Sequence, residues 1–323
     1  MRTAFIKTLT TMARKDIRIY LLTGDLGFSV IENFRKEFPD RFFNVGIAEQ
    51  TMIGVAAGLA LSGKTVFTYS IASFITMRCF EQIRNDLCYH NLKVRIIGVG
   101  SGFSYSTSGI THHSLSDIAI MRSLPNMTII VPGDPVEVER AMEKSDDIEG
   151  PIYFRLGKTG EPKLHSSISE FTIGKGLVMK EGDDIALITC GSMLEVTKSV
   201  AEVLEKKGLS VKVISMHTVK PIDENLILNT ASKIKYLFTI EEHNIIGGLG
   251  SAVAEILSEA PSREKMVFKR IGVEDKFCIV AGNRNYIRDL FDISKEKIVS
   301  HILSIVGLDK TKVTKCSITS SKV

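Results

Sequence analysis

Short apolar runs alternate with helix-like stretches along almost the whole chain, and that alternation leaves few folds open. The strand-like runs of the first half are IRIYLLT (17–23), KTVFTYS (64–70), KVRIIGVG (93–100), MTIIVP (127–132) and PIYFRL (151–156). Between them lie a segment of small residues, FITMRCFEQIRNDLCYH (74–90) and DPVEVERAMEKS (134–145), each long enough for a helix. Asp134 followed by Pro135 opens the last of these, because proline's fixed φ suits a first helical position. Strand–helix alternation of this kind predicts a mostly parallel sheet covered on both faces.

The pattern breaks at GKTGEPKLHSSISE (157–170), which is polar and rich in Gly, Ser, Lys and Pro, and then resumes. DIALITCG (184–191), SVKVISM (210–216), KYLFTIEE (235–242) and KMVFKRIG (265–272) read as strands. SMLEVTKSVAEVLEKKG (192–208) and GLGSAVAEILSEA (248–260) read as helices. The expectation is an α/β protein of two domains, each a mostly parallel sheet flanked by helices. The first would span 1–157, a linker 158–172 and the second domain 173–309, with a polar, frayed tail over 310–323.

A chain of 323 residues has room for two such cores. Its net charge of +4, without a dense basic run, points away from nucleic acid and membrane surfaces. No run is long enough to span a membrane. The N-terminus lacks a signal-peptide core, and Ala4, Phe5, Leu9 and Met12 suggest an amphipathic first helix. The five cysteines show no CxxC spacing and read as reduced thiols of a cytoplasmic protein.

RFFNVGIAEQTMIGVAAGLALSG (41–63) places a charged Glu49 at the mouth of a helix that is apolar all round, and so expected to be buried. Such a carboxylate either balances the helix dipole or works as an acid. GIAEQ after FPDRFFNV resembles the pyrimidine-binding domain of transketolases and their thiamine-diphosphate relatives. FEQIRNDLCYHNLKV (80–94), LSDIAIMRSLPNMTIIVPGDPVE (115–137), PIYFRLGK (151–158), TVKPID (218–223) and EEHNIIGGLGSAVAE (241–255) resemble the same family, in the same order.

The resemblance implies specific roles. Glu49 would hydrogen-bond the cofactor's pyrimidine nitrogen and favour the tautomer with which the cofactor activates itself. In SIASFITMR (70–78), Phe74 would stack on the ring, with Ile71 and Met77 where relatives carry further aromatics. Asp25 and Leu26, in TGDLGFS (23–29), would lie near the cofactor, and Ser29 near a sugar phosphate. His112, with His113 beside it, would meet sugar hydroxyls or phosphate. Arg155 would grip an acceptor phosphate through charge-assisted bonds. Each has an ordinary alternative: a dipole partner for Glu49, core for Phe74, a turn for Asp25, loop histidines, and a strand-end salt bridge for Arg155.

Two departures bear on the substrate. The acidic pair that sugar transketolases carry before the histidine is replaced by Thr107 and Ser108, and a histidine at the end of the preceding strand by Gly100. The GDG run that holds the diphosphate and Mg2+ in these enzymes does not occur. The resemblance therefore implies the C-terminal subunit of a split transketolase. It would work with an N-terminal subunit that carries the diphosphate site, as a heterotetramer acting on phosphosugars, modified ones included. A 2-oxoacid dehydrogenase β subunit, with His113-Ser114 as its HS pair, is an alternative. So are a deoxyxylulose-phosphate-synthase-like enzyme and a regulatory subunit that keeps the fold.

Overall fold

The computed structural model of the protein describes residues 1–158, 160–260 and 266–308. Six strands come from the first half: β1 (Ile19–Thr23), β2 (Phe42–Asn44), β3 (Thr65–Ile71), β4 (Val94–Val99), β5 (Thr128–Ile130) and β6 (Ile152–Leu156). The second half supplies β7 (Leu177–Lys180), β8 (Ile185–Thr189), β9 (Val211–Ser215), β10 (Thr218–Lys220), β11 (Tyr236–Asn244) and β12 (Val267–Val273). They form two sheets, ordered β10-β5-β6-β4-β3-β1-β2 and β12-β11-β8-β9-β7. All pairings are parallel except β10 on β5 and β7 on β9. The strands β3, β4, β6 and β8 are buried along their whole length, which is why they read as continuous apolar runs.

The swap of β10 is the main difference from the expected division. TVKPID belongs to the second half by sequence, yet Thr218 and Lys220 pair with Ile130 and Ile129 on the edge of the first sheet. The linker region also packs: Ile168 and Phe171 are buried, and Asp134 Oδ2 accepts from the backbone N–H groups of Leu164 and His165. Asp134 caps the helix Pro135–Lys144, accepting from Glu137 N at 2.8 Å. One core cluster runs through both halves, joining Met52, Ile96 and Ile129 to Ile188, Ile214 and Leu237.

The first helix, Arg2–Lys15, buries Ala4, Phe5 and Leu9 as its spacing predicts. The small-residue helix, Glu49–Leu61, corrects an expectation. Met52, Ile53, Ala56 and Ala57 are buried, but Gly54, Val55, Gly58 and Leu61 are exposed, so the chain covers only one side of it. Cys79, Cys88, Cys190 and Cys278 are buried free thiols. The polar tail 310–323, with Cys316, lies outside the described residues.

Candidate active site

The carboxylate-bearing end of the helix Glu49–Leu61 meets the C-terminal end of β3, the edge where ligands gather in open α/β sheets. Glu49 is 3% exposed and its two oxygens are used differently. Oε1 accepts from Ser70 Oγ at 2.9 Å, and Oε2 accepts from Arg78 Nη1 at 3.1 Å. The carboxylate also stands in the first turn of its helix, where the backbone N–H groups favour negative charge.

Gly24, at the end of β1, explains how the neighbouring loop comes so close. A Cβ there would meet Ser70 Oγ at 3.4 Å and Glu49 Oε1 at 3.5 Å. The loop that follows brings Asp25 and Leu26 to the same end of the sheet. Asp25 adopts a left-handed backbone (φ 53), which aspartate tolerates, and exchanges two 3.0 Å hydrogen bonds with Asn44. Ser29 turns away from this group: its N–H donates to Glu32 Oε1, and it lines an open cleft of about 800 Å³ with Lys7, Arg14 and Lys36.

After β3 the chain enters a widened helical turn, Phe74–Arg78, with i→i+5 geometry of the kind that recurs at functional sites. The guanidinium of Arg78 lies 3.8 Å over the Phe74 ring. His112 meets the same ring edge-on with centroids 5.0 Å apart. Tyr105 lies 5.9 Å from His112, and Lys158 Nζ is 4.5 Å from the Tyr105 centroid. Glu49, Arg78, Phe74, His112, Tyr105 and Lys158 therefore form one continuous strip. Burial, and then the charge of Arg78, hold the His112 pKa below its ordinary value, which favours a neutral ring able both to donate and to accept. Ile71 is buried at the end of β3, and Met77 is exposed beside Arg78.

Two further candidates stand elsewhere. Arg155 is buried: Nε donates to Asp117 Oδ2 at 2.7 Å, and Nη2 donates to the carbonyls of Ser114 and Glu242 at 2.7 and 3.1 Å. It ties β6 to the second domain through a buried salt bridge with Asp117, so Nε and Nη2 already have partners within this chain. His113 points away from His112 into the protein, 5.2 Å edge-on to Phe103. Sequence reasoning missed Ser70, Arg78, Tyr105 and Lys158. A single charge inside the apolar SIASFITMR was the available sign for Arg78.

The donor set fits the pyrimidine half of thiamine diphosphate: a buried carboxylate with one oxygen turned toward a half-exposed side chain, beside an aromatic face. Among the described residues, no cluster of three or more His, Cys, Asp or Glu is arranged to hold a metal ion.

Comparisons with known proteins converge. Residues 1–161 match the transketolase pyrimidine binding domain family and residues 174–298 the transketolase C-terminal domain family. The chain is 39% identical over 277 residues to a subunit of the apulose-4-phosphate transketolase of Actinobacillus succinogenes, covering 85% of this chain and 88% of that one. It is 36% identical over 300 residues to a 6-deoxy-6-sulfo-D-fructose transketolase subunit of Clostridium sp., covering 93% and 92%. A solved split-gene transketolase, described as an inactive β4 tetramer, superposes with a TM-score of 0.85 at 37% identity over 96% of this chain and 99% of that one.

Proposed function

The chain belongs to the transketolase family, and from that premise we propose that it is the C-terminal subunit of a two-component transketolase. The reaction is transfer of a two-carbon ketol unit between phosphorylated sugars. The observation that carries this reading is Glu49, buried at a helix mouth with Oε2 held by the guanidinium that lies over Phe74.

Thiamine diphosphate, when bound, supplies the nucleophilic carbon that takes the ketol unit from its donor. Glu49 would hold a proton against the pyrimidine nitrogen, and Ser70 would fix the carboxylate's rotamer for that contact. Phe74 would stack on the ring, with Ile71 and Met77 on the aliphatic side of the pocket and Asp25 and Leu26 at its mouth. His112, Tyr105 and Lys158 extend from the ring toward the substrate, and a phosphate would find its cation in Lys158. A partner N-terminal subunit with the GDG-type clamp would hold the diphosphate and Mg2+, in a heterotetramer. Among the described residues no helix is long and apolar enough to cross a membrane, and we place the enzyme in the cytoplasm.

Gly100, Thr107 and Ser108 favour a modified phosphosugar over an ordinary ketose phosphate, as the names of the two relatives also suggest. A donor–acceptor panel on the assembled two-chain enzyme with thiamine diphosphate and Mg2+ tests the reading. Ketol transfer that is faster with deoxygenated or branched phosphosugars is the expected result. No ketol transfer to any phosphosugar acceptor would end it.

A further inference from the structure

We propose that Arg78 is a built-in stand-in for the cofactor's pyrimidine ring. It holds the Glu49 acceptor and one face of Phe74 until the ring displaces it. This rests on the reading of Glu49 and Phe74 given above, and goes beyond it by assigning a role to a residue outside that reading.

Three observations carry it. First, the guanidinium is a flat, delocalised group of donors, and it takes both contacts expected of the ring at once. It hydrogen-bonds Glu49 Oε2 at 3.1 Å and lies 3.8 Å over the Phe74 centroid. Second, Ser70 holds Oε1, so the oxygen left for a ring nitrogen is the one that Arg78 holds. Third, the arginine is built to leave. Its backbone is anchored, with its carbonyl accepting from Gln50 Nε2 at 2.9 Å, while its side chain remains 46% exposed. A fixed main chain with a half-solvated side chain lets the guanidinium swing into water without disturbing the helix start that carries Glu49.

The physical logic is that of a buried charge. Glu49 is 3% exposed, and leaving such a carboxylate without a cationic partner is costly. The arginine neutralises it in the cofactor-free chain. A partly exposed ion pair and a partly exposed cation–π contact are each weak, so an incoming ring can break both. While Arg78 is in place the site is closed, and the apparent cofactor affinity is the intrinsic affinity scaled by the open fraction. The arginine thus protects the carboxylate at the expense of cofactor affinity.

The experiment is a calorimetric titration of thiamine diphosphate, at fixed Mg2+, into the two-chain enzyme carrying Arg78→Ala or Arg78→Gln. The glutamine still donates to Glu49 but lacks charge, and it keeps the test alive if the alanine variant folds poorly. Removing the competitor should tighten binding by about fivefold or more in the alanine variant, and by less in the glutamine variant. Binding that is weaker or unchanged in both would overturn the proposal and make Arg78 a ligand or a bystander. Phe74→Ala, titrated alongside, separates the two levels of inference. If Phe74→Ala weakens binding while the Arg78 variants do not tighten it, only the stand-in role fails. If Phe74→Ala leaves binding untouched, the ring site and the stand-in role fail together.

Discussion

Tyr105 stands in the space that a side chain at Gly100 would need. A Cβ built on Gly100 would overlap the Cδ2–Cε2 edge of the Tyr105 ring. Gly100 also has φ +88, a region that side-chain-bearing residues avoid. The histidine that sugar transketolases place here therefore has no room, and the tyrosine ring takes its ground between His112 and Lys158. Loss of one polar group and gain of an aromatic wall belong to the same local rearrangement.

Restoring the family histidine alone should fail for that reason. Gly100→His adds left-handed strain and a clash, together about 2–4 kcal/mol of destabilisation. Gly100→His combined with Tyr105→Ala removes the clash but not the strain, and should recover at least about 1 kcal/mol of the loss. Urea unfolding of the two single variants and the double variant measures the coupling. Simple additivity would show that the ring does not fill that space.

Glu49→Gln keeps the size of the side chain and removes its negative charge. Assembly and cofactor binding should largely survive, while turnover falls by at least about a hundredfold, the scale of lost acid–base assistance. Steady-state kinetics on the two-chain enzyme give the answer. Near-normal turnover would reduce Glu49 to a charge at a helix end.

The uniformly apolar strands were readable because burial on both faces leaves a continuous signature, as in VRIIGV of β4. β10 was not: three residues beside a proline carry no period, and only tertiary packing sends Thr218–Lys220 to the other sheet. The helix Glu49–Leu61 looked buried on all sides because small residues mark close approach without saying whether the approaching surface belongs to the same chain. Glu49 and Phe74 stood out as candidates through their surrounding motifs, and the structure places both beside Arg78. For Arg155 the sequence places two cations within four residues at the end of one strand, and the pattern cannot say which of them faces inward. Arg155 meets Asp117 in the interior, while Lys158, just past the strand, reaches Tyr105.

The pairing of Arg155 with Asp117 has its own consequence. Burial pushes the Asp117 carboxyl up, but the charge of Arg155 and then of His243 outweigh it and leave it below the usual carboxylate range. Tyr153 Oη donates to the same oxygen at 2.6 Å. Arg155→Ala would leave a buried charge unpaired, at a cost of about 3–5 kcal/mol. Asp117→Asn with Arg155→Met should destabilise less than Arg155→Ala alone, because neither charge is stranded. Unfolding midpoints test this. A loss under about 1 kcal/mol for Arg155→Ala, with a raised acceptor KM, would return Arg155 to the substrate site.

Glu137 sets a pH dependence that can be isolated. It lies buried where the linker, the helix Pro135–Lys144 and β9 meet. Its Oε2 accepts from Gly133 N at 2.6 Å and its Oε1 from Ser215 Oγ at 2.7 Å. The ionisable groups around it include Asp134, on its own helix start, the Cys190 thiol, which feels its charge, and His165 of the linker, whose Nε2 is 3.6 Å from Oε1. Burial raises its carboxyl to about 7, against the pull of those hydrogen bonds and of His165. In the unfolded chain a glutamate titrates near about 4.3. Between those values the native state holds a proton that the unfolded state has released. Stability from this group therefore falls as pH rises across that window, by up to about 1.4 kcal/mol per pH unit. Glu241, raised to about 7 chiefly by burial, adds to the fall. His217 and His243 oppose it: burial lowers them to about 3 and 4, so the unfolded state binds the extra protons and stability rises with pH up to about 6.5. These slopes offset one another in the native protein, so the wild-type profile alone would show little. The difference between wild type and Glu137→Gln is the diagnostic quantity, because the glutamine removes one titration and leaves the others in place. Urea unfolding at intervals from pH 5 to 8 should show Glu137→Gln gaining on wild type steadily as pH rises toward 7, and holding level beyond it. A difference that stays flat across that range would mean that Glu137 is already ionised at pH 5 in the folded protein.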